Sequence, residues 1–511
     1  MPQHPYQRKL FYFLFAVIVF KIIIACLVEL GNDEVYYYTY AFRPDWSYFD
    51  HPPLVGLFIR LTTFNLLFVN DVTMRLGAII GSAIASYFIY KTVTVIRNEK
   101  AGWYAALLYN CSLYGGVISG LFILPDSPQM PFWTASLYIM SLLLFTNSNK
   151  KNILFLLLGL SIGLATLSKV HALFLWLGFG LFLLVRQRKF FAEIPLYISG
   201  IITAVCLLPI IIWNVNNHFI TYTYHSERVT HHTIQVDTFM QEVIGEAIYQ
   251  NPIVYVLLLV AVIFFIRKKQ LFSNDQQLWL LCMSMPMLLV FWGVSLFNPT
   301  LPHWSGPAFI PLMMIGGMYL SEKSSLWIPG IIKWAGGFMV AVLIAGAVAA
   351  NIAPFNLGSK AYDRYGEYCP TLDISGWKTF GNDFKTLVAN DSAKHIMQNG
   401  APIIVAKWFP AAHIEMYVAR QTKQEVLGVG KLEDLHEFAW MNKSRKALKT
   451  GEDAYCIVPS NIPFDVEKEY KQYFQTIEKP EIINQVRGGK MVRYFKIYRL
   501  KNCIKPPQPV L

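Results

Sequence analysis

From Leu10 to about Ala350 the chain alternates between long apolar blocks and short polar interruptions. The blocks run roughly 18 to 23 residues with few charges, and a helix of that length, rising 1.5 Å per residue, crosses a hydrocarbon core about 30 Å thick. Spans are predicted near 10–29, 74–96, 102–120, 128–146, 152–168, 170–185, 195–213, 252–266, 277–296, 304–320 and 328–350. The first, LFYFLFAVIVFKIIIACLVEL, is long, carries Lys21 and has no small-residue cleavage site, so it reads as a retained helix and not as a signal peptide. The stretch 30–73 is different. It opens GNDEVYYYTYAF and continues WSYFDHPPLVGLFIRLTTFNLLF, whose apolar end reads as a helix lying in the membrane interface.

Beyond residue 351 the period changes. Runs with strand character (PIIVAKW, AYCIVP, MVRYFKIYRL) alternate with helical ones (HIEMYVARQ, LEDLHEFAW). The expected fold is an α-helical polytopic membrane protein, with a transmembrane domain over 1–350 and a small C-terminal α/β domain over 351–511. The composition agrees: 54% hydrophobic and 15% charged residues, with a mean hydropathy of +0.38, exclude an ordinary soluble protein.

A net charge of +12 would suit a nucleic-acid binder only if the basic residues formed a stripe interleaved with aromatics. They do not. They fall at Arg8 and Lys9, Arg97 and Lys100, Lys150 and Lys151, Arg186, Arg188 and Lys189, Arg267, Lys268 and Lys269, and Lys323, in every second connection. The expected partners are therefore membrane lipids and not nucleic acid. By the positive-inside rule these connections are cytoplasmic, which leaves loop 30–73, the Asp126 turn, loop 214–250, the Pro302–His303 turn and the tail extracytoplasmic. The topology turns on 152–185, where two short spans meet at Ser168, Lys169 and His171. The seven cysteines show no metal-ligand spacing, although the three in the tail, Cys369, Cys456 and Cys503, leave room for one disulfide.

The polar residues that remain converge on the extracytoplasmic side. Asp33 and Glu34 are adjacent acids after Gly31-Asn32, and Asp126 lies in LPDSPQ. Carboxylates at a membrane boundary are costly to bury and call for a partner or a task, although acids at a helix start also gain from its dipole. His51, ahead of Pro52-Pro53, is suited to bind phosphate. Lys169 and His171 form SKVH at an outer turn, where a lone Lys departs from the charge rule. His303 sits in LPHWSGPAFIP beside Trp304, an interfacial anchor. Arg60 and Arg75 read as snorkelling side chains. His218, His225, His231 and His232, with Glu227 and Arg228, lack the tight pattern of a zinc site.

The runs DEVYYYTYA…YFDHPPL, LPDSPQMPFWTASLYI, GLSIGLATLSKVHALFL and LPHWSGPAFIPLM resemble the GT-C membrane glycosyltransferases of the protein O-mannosyltransferase and lipid A aminoarabinose transferase group. The resemblance spans most of 30–320. It implies about 11 to 13 transmembrane helices and an extracytoplasmic active site. It also implies a sugar delivered on polyprenyl phosphate to a lipid, glycan or protein acceptor. Asp33 matches the family's candidate base, with Glu34 beside it, and Asp126 matches the second acid. From their shared side of the membrane and their places at helix ends near the lipid headgroups, His51, Lys169 and His303 are expected at the donor phosphate, with Tyr36, Tyr37 and His171 at sugar or acceptor. The aminoarabinose transferases carry Lys where this chain has His51, a departure that argues against lipid A as the particular acceptor. The DISGWKTF segment around Trp377 is shared with tails of bacterial members. No cofactor is implied, and the resemblance favours a metal-independent reaction, with a divalent cation left open. A polymerase or ligase of lipid-linked glycans is the nearest alternative. A transporter is the remote one, since transporters show internal repeats and acids near the midplane.

Overall fold

The computed structural model describes residues 5–227 and 233–511. Arg228, His231 and His232 lie outside them. In chain order the main helices are α1 (Pro5–Leu27), α2 (Asn32–Phe42), α3 (Leu54–Thr62), α4 (Asp71–Ile96), α5 (Glu99–Cys111), α6 (Asp126–Phe145), α7 (Lys151–Ser168), α8 (Phe174–Arg186) and α9 (Ile194–Asn216). After these come α10 (Ile220–Glu227), α11 (Val236–Tyr249), α12 (Pro252–Arg267), α13 (Asp275–Ser295), α14 (Phe309–Lys323) and α15 (Gly330–Asn351). Two compact units emerge from the contacts: Met1–Ile23 with Asp45–Val342, and Ile24–Pro44 with Leu343–Leu511.

In the first unit α1, α4, α7, α9, α13 and α15 are each long and apolar enough to cross a bilayer. Large apolar side chains such as Phe15, Ile201, Val205 and Leu289 remain exposed on them, as lipid-facing surface requires. The protein is an integral membrane protein. Four predicted spans took other forms. The span at 102–120 is the 13-residue α5 followed by a π-helical turn, Tyr114–Ile118. The span at 170–185 is a short 3-10 turn running into the 13-residue α8, and that at 304–320 is the 15-residue α14, buried along nearly its whole length. α6 has 20 residues but opens on Asp126 and Gln129. α5, α6 and α14 are apolar because neighbouring helices cover them, whereas the short α8 keeps Leu177, Leu181, Leu184 and Val185 exposed, and hydropathy alone cannot separate burial by helices from contact with lipid. α11 and α12 bend by 101° at Gln250-Asn251. Asn251, at φ 68°, caps α12 through Ile253 N–H (3.1 Å) and donates to the carbonyls of Cys111 and Ala335, so the freed backbone is satisfied inside the protein.

Close packing follows small residues. A Cβ on Gly159 of α7 would lie 2.3 Å from the Ser199 carbonyl of α9, and one on Gly163 would meet Cys206. Glycine at both positions lets the two backbones touch.

The second unit carries a six-stranded sheet: β1 (Ile403–Val405), β2 (Val426–Gly428), β3 (Ala454–Pro459), β4 (Phe474–Ile477), β5 (Glu481–Arg487) and β6 (Lys490–Cys503). The order is β2-β1-β3-β6-β4, parallel for β2-β1-β3 and antiparallel where β6 meets β3, β4 and β5. β6 is long enough to pair with β5 over one half and β4 over the other. Gly488 and Gly489, both at positive φ, make the two-residue β5–β6 turn that this twist favours. Two further helices matter below, α16 (Trp377–Ala393) and α17 (Trp408–His413). All seven cysteines are free thiols, so the tail disulfide does not form: Cys369, Cys456 and Cys503 are each buried in the packing of this unit.

Candidate active site

In the first unit the residues singled out from sequence meet at the start of α6. Asp126 opens that helix and is 2% exposed. The Lys169 ammonium lies 2.9 Å from one carboxylate oxygen, and Tyr114 donates its hydroxyl to the other at 3.0 Å. Lys169 reaches it because α7 ends at Ser168 and Lys169 turns the chain in an extended conformation before the 3-10 turn. Asp126, Gln129 and Trp133 follow one another at the i, i+3, i+7 spacing of one helix face, and that face receives the SKVH turn. Gln129 donates to the Lys169 carbonyl (3.0 Å), its amide oxygen lies 2.8 Å from His171 Nε2, and the His171 ring meets Trp133 edge-on. Since the amide nitrogen is already committed, the oxygen faces His171, which therefore donates from Nε2.

The LPHWSGP turn closes on the same place. The Tyr114 ring packs where a Cβ of Gly306 would be, 2.3 Å away. His303 stands against Tyr249, with ring centroids 5.7 Å apart. Burial, and after it the Lys169 charge, brings His303 down to about 4, so at neutral pH it is an uncharged hydrogen-bonding group. Burial by itself would raise Asp126, but Lys169 and then His303 outweigh it and hold the carboxyl below the ordinary range. His51 acts electrostatically on His171 and His303. Its Nδ1 lies 3.1 Å from the Asp50 carboxylate, and His225 Nε2 lies 3.0 Å from the Asp50 carbonyl. Asp126, Lys169, His171, His303 and His51 thus all belong to the first unit, with Lys169 paired to the Asp126 carboxylate.

Asp33, Glu34, Tyr36 and Tyr37 belong to the other unit. The two adjacent acids separate cleanly: Asp33 is exposed, whereas Glu34 is buried and accepts from Gly31 N–H (2.9 Å) in a capping box. Tyr36 and Tyr37 are buried in an aromatic cluster with Tyr40 and Trp408. They shape the helix more than they offer surface to a ligand.

Residues 50–213 match the family model described as dolichyl-phosphate-mannose-protein mannosyltransferase. The lipid A galacturonosyltransferase RgtD of Rhizobium johnstonii is 25% identical over 330 residues, which are 63% of this chain and 65% of that protein. The match thus spans just under two thirds of the relative's length. ArnT from Cupriavidus metallidurans superposes in its apo crystal structure with a TM-score of 0.64 at 12% identity, over 96% of this chain and 98% of that one. Its crystal structure bound to undecaprenyl phosphate gives 0.62 at 13% identity, over 95% and 97%. This chain has the fold of the ArnT structures. The fold expected from its motifs holds.

Within that fold several residues escaped the sequence reading. Arg75 does not snorkel: it is fully buried in α4, its guanidinium 5.5 Å from the Phe122 ring centroid. Its place four residues after Asp71, on one helix face, was the available signal. Tyr114 carried none, since nothing marks one tyrosine among the chain's 28 as the partner of Asp126. Glu242 and Glu246, both buried on α11, brace the turn that carries His303: Glu246 accepts from Ser305 (2.7 Å) and Trp292 (3.0 Å), Glu242 from Thr300 (2.7 Å). The i, i+4 acid pair in VDTFMQEVIGEAIY was legible, but the segment read as loop.

Proposed function

We propose that this chain is a membrane glycosyltransferase that moves a sugar from a polyprenyl-phosphate donor to a hydroxyl or phosphate acceptor on the extracytoplasmic face of a bacterial inner membrane. The observation that carries this reading is the buried Asp126–Lys169 pair ringed by His171, His303 and His51. A cation held by a carboxylate, with imidazole donors around it, suits a phosphate that must leave with its charge. The printed names of the relatives support it: one is a lipid A galacturonosyltransferase, and one was crystallised with undecaprenyl phosphate.

In this mechanism Asp33 removes the acceptor hydroxyl proton as the oxygen attacks the anomeric carbon. The bond from that carbon to the lipid phosphate breaks on the opposite side, and the phosphate departs against Lys169, with His303 and His51 donating hydrogen bonds. One displacement inverts the anomeric centre. Asp33 is the base because it is exposed, while Glu34 is consumed in capping. Asp126 keeps Lys169 in place and orients sugar or acceptor hydroxyls. No metal enters these steps.

The test is comparative mass analysis of glycolipids and glycoproteins from a deletion strain and its complement, followed by transfer assays with purified enzyme and polyprenyl-phosphate donors carrying a hexuronic acid, a hexose or an aminopentose. Loss of one glycosylated product, restored by the wild-type gene and not by Asp33→Asn, is the expected result. An unchanged glycolipid and glycoprotein profile, with no transfer from any donor, overturns the reading. A lost product whose acceptor is a glycan chain assigns the enzyme as a polymerase or ligase. Thiol labelling of intact cells tests the face: a cysteine placed in the tail reacts without permeabilisation if the topology is right.

A further inference from the structure

The DISGWKTF segment plays no part in the mechanism above, yet side chains from several parts of the second unit hold it. Gly376, at φ 87°, precedes α16 where a Cβ would lie 2.1 Å from the Gln485 side chain, so only glycine fits. The next residue, Trp377, is 1% exposed and lies in the middle of a stack. On one side the Arg493 guanidinium sits 4.5 Å from its ring centroid, itself fixed by Gln485 (2.9 Å) and the Ser375 carbonyl (3.0 Å). On the other side the His413 imidazole, fully buried, lies parallel to the indole at 4.3 Å and 2°.

The stack ends on the helix that carries Asp33. His413 Nε2 is 2.8 Å from the Asn32 side-chain oxygen, and Asn32 also bonds the Asp373 carboxyl. A carboxylate accepts, so the Asn32 amide nitrogen faces Asp373 and its oxygen faces His413. His413 is then the Nε2–H donor. Its Nδ1 has no hydrogen-bond partner among the described residues, which leaves the Asn32 bond as the polar contact that orients the ring. Burial, and next the Arg493 charge, keep His413 well below its ordinary pKa, so the neutral tautomer persists. Neighbouring backbone is tied to the same segment: Glu29 accepts from Trp377 N–H (2.7 Å) and Lys378 N–H (3.2 Å), and Tyr417 accepts from Leu30 N–H (2.7 Å).

We propose that the Arg493–Trp377–His413 stack, acting through Asn32, positions Asp33, so that the C-terminal domain fixes the amino end of the helix bearing the base. This rests on the assignment of Asp33 given above. Asn32 is the first residue of α2, and rotating its backbone turns the next side chain, Asp33, by the same motion. A general base works only within hydrogen-bond reach of its proton, and a misplacement of about 1 Å is enough to cost roughly 100-fold in rate. His413 and Asn32 are positioning residues.

The experiment uses the full-length enzyme in detergent with a short-chain polyprenyl-phosphate sugar chosen as the donor that supports wild-type transfer. His413→Phe keeps the ring stack and removes the donor, Asn32→Ala removes the acceptor, and His413→Gln returns an N–H at the Nε2 position. The expected result is a fall in kcat of about 10- to 100-fold for His413→Phe and Asn32→Ala, donor KM within about twofold, and substantial recovery in His413→Gln. The double variant should be no slower than either single one. If His413→Phe does not yield folded protein, Asn32→Ala, which leaves the stack untouched, carries the same expectation. Wild-type kcat per folded molecule in Asn32→Ala, or additive losses in the double variant, overturn the proposal. Asp33→Asn is assayed alongside. If it is inactive while Asn32→Ala is fully active, the positioning link alone fails, and if Asp33→Asn turns over normally, the base assignment fails and this proposal with it.

Discussion

Replacing Lys169 with methionine removes the cation from a buried pair and leaves its shape nearly intact. Asp126 is 2% exposed and Lys169 12% exposed, with 2.9 Å between the charged atoms. At an effective dielectric near 20 that separation is worth about 6 kcal/mol. Desolvation of both ions offsets much of this, so the pair itself adds little to stability, but breaking it from one side costs about 3–5 kcal/mol. Burial, the largest influence on Asp126, then acts without its main opponent and pushes the carboxyl up instead of down. The sign of the pH effect reverses accordingly. In the wild type the depressed Asp126 contributes stability above its ordinary value of 3.8, lost as pH falls through the folded value. In Lys169→Met the raised carboxyl makes the fold weaker as pH rises through its new value. Melting followed by tryptophan fluorescence in detergent should show a drop of several degrees at pH 7.5 that shrinks at pH 5, and adding Asp126→Asn should restore most of it. Steady-state kinetics should show a higher donor KM with acceptor KM unchanged. An unshifted melting point at pH 7.5 together with an unshifted donor KM would refute both the pair and its role at the phosphate.

Asp33→Asn should lower turnover by about 100- to 10,000-fold with normal membrane insertion, and a near wild-type rate removes Asp33 as base. Asp126→Asn alone should also be severe, with Lys169 left as an uncompensated buried charge, seen as lost donor affinity. His51→Lys should keep or lower the donor KM, because a permanent charge attracts phosphate more strongly than imidazole; a donor KM raised tenfold would take His51 away from the phosphate. His303 is brought to about 4 from 6.5, so the unfolded chain binds its proton first and stability is lost as pH falls from 6.5 towards 4, by up to about 3 kcal/mol. His303→Asn should flatten the melting profile over that window, and an unchanged slope would contradict the buried neutral state.

The sequence by itself determined the membrane character, the fold class and which polar residues were candidates for chemistry. Hydropathy blocks are a one-dimensional consequence of bilayer thickness, and motifs such as YFDHPPL, LPDSPQ and SKVH lie contiguous in the chain, so both survive without coordinates. The small α/β unit was legible for the same reason, its strands and helices differing in local period.

Tertiary structure decided what depends on packing between distant segments. It separated lipid-facing spans from α5 and α14, which are apolar because other helices bury them. Pairing Lys169 with Asp126, 43 positions apart, and setting Tyr114 between Asp126 and Gly306 were likewise beyond any local pattern. Of the acids Asp33 and Glu34, identical in pattern, only the fold shows that Glu34 turns back to cap its own helix while Asp33 stays accessible. It also joined Asn32 to His413 across 381 positions, tying the stack around Trp377 to the residue before Asp33. Charge pairs, caps and stacks form wherever the chain's return path brings two groups within a few ångströms, and that path is set by the sum of helix and sheet packing, which no local pattern contains.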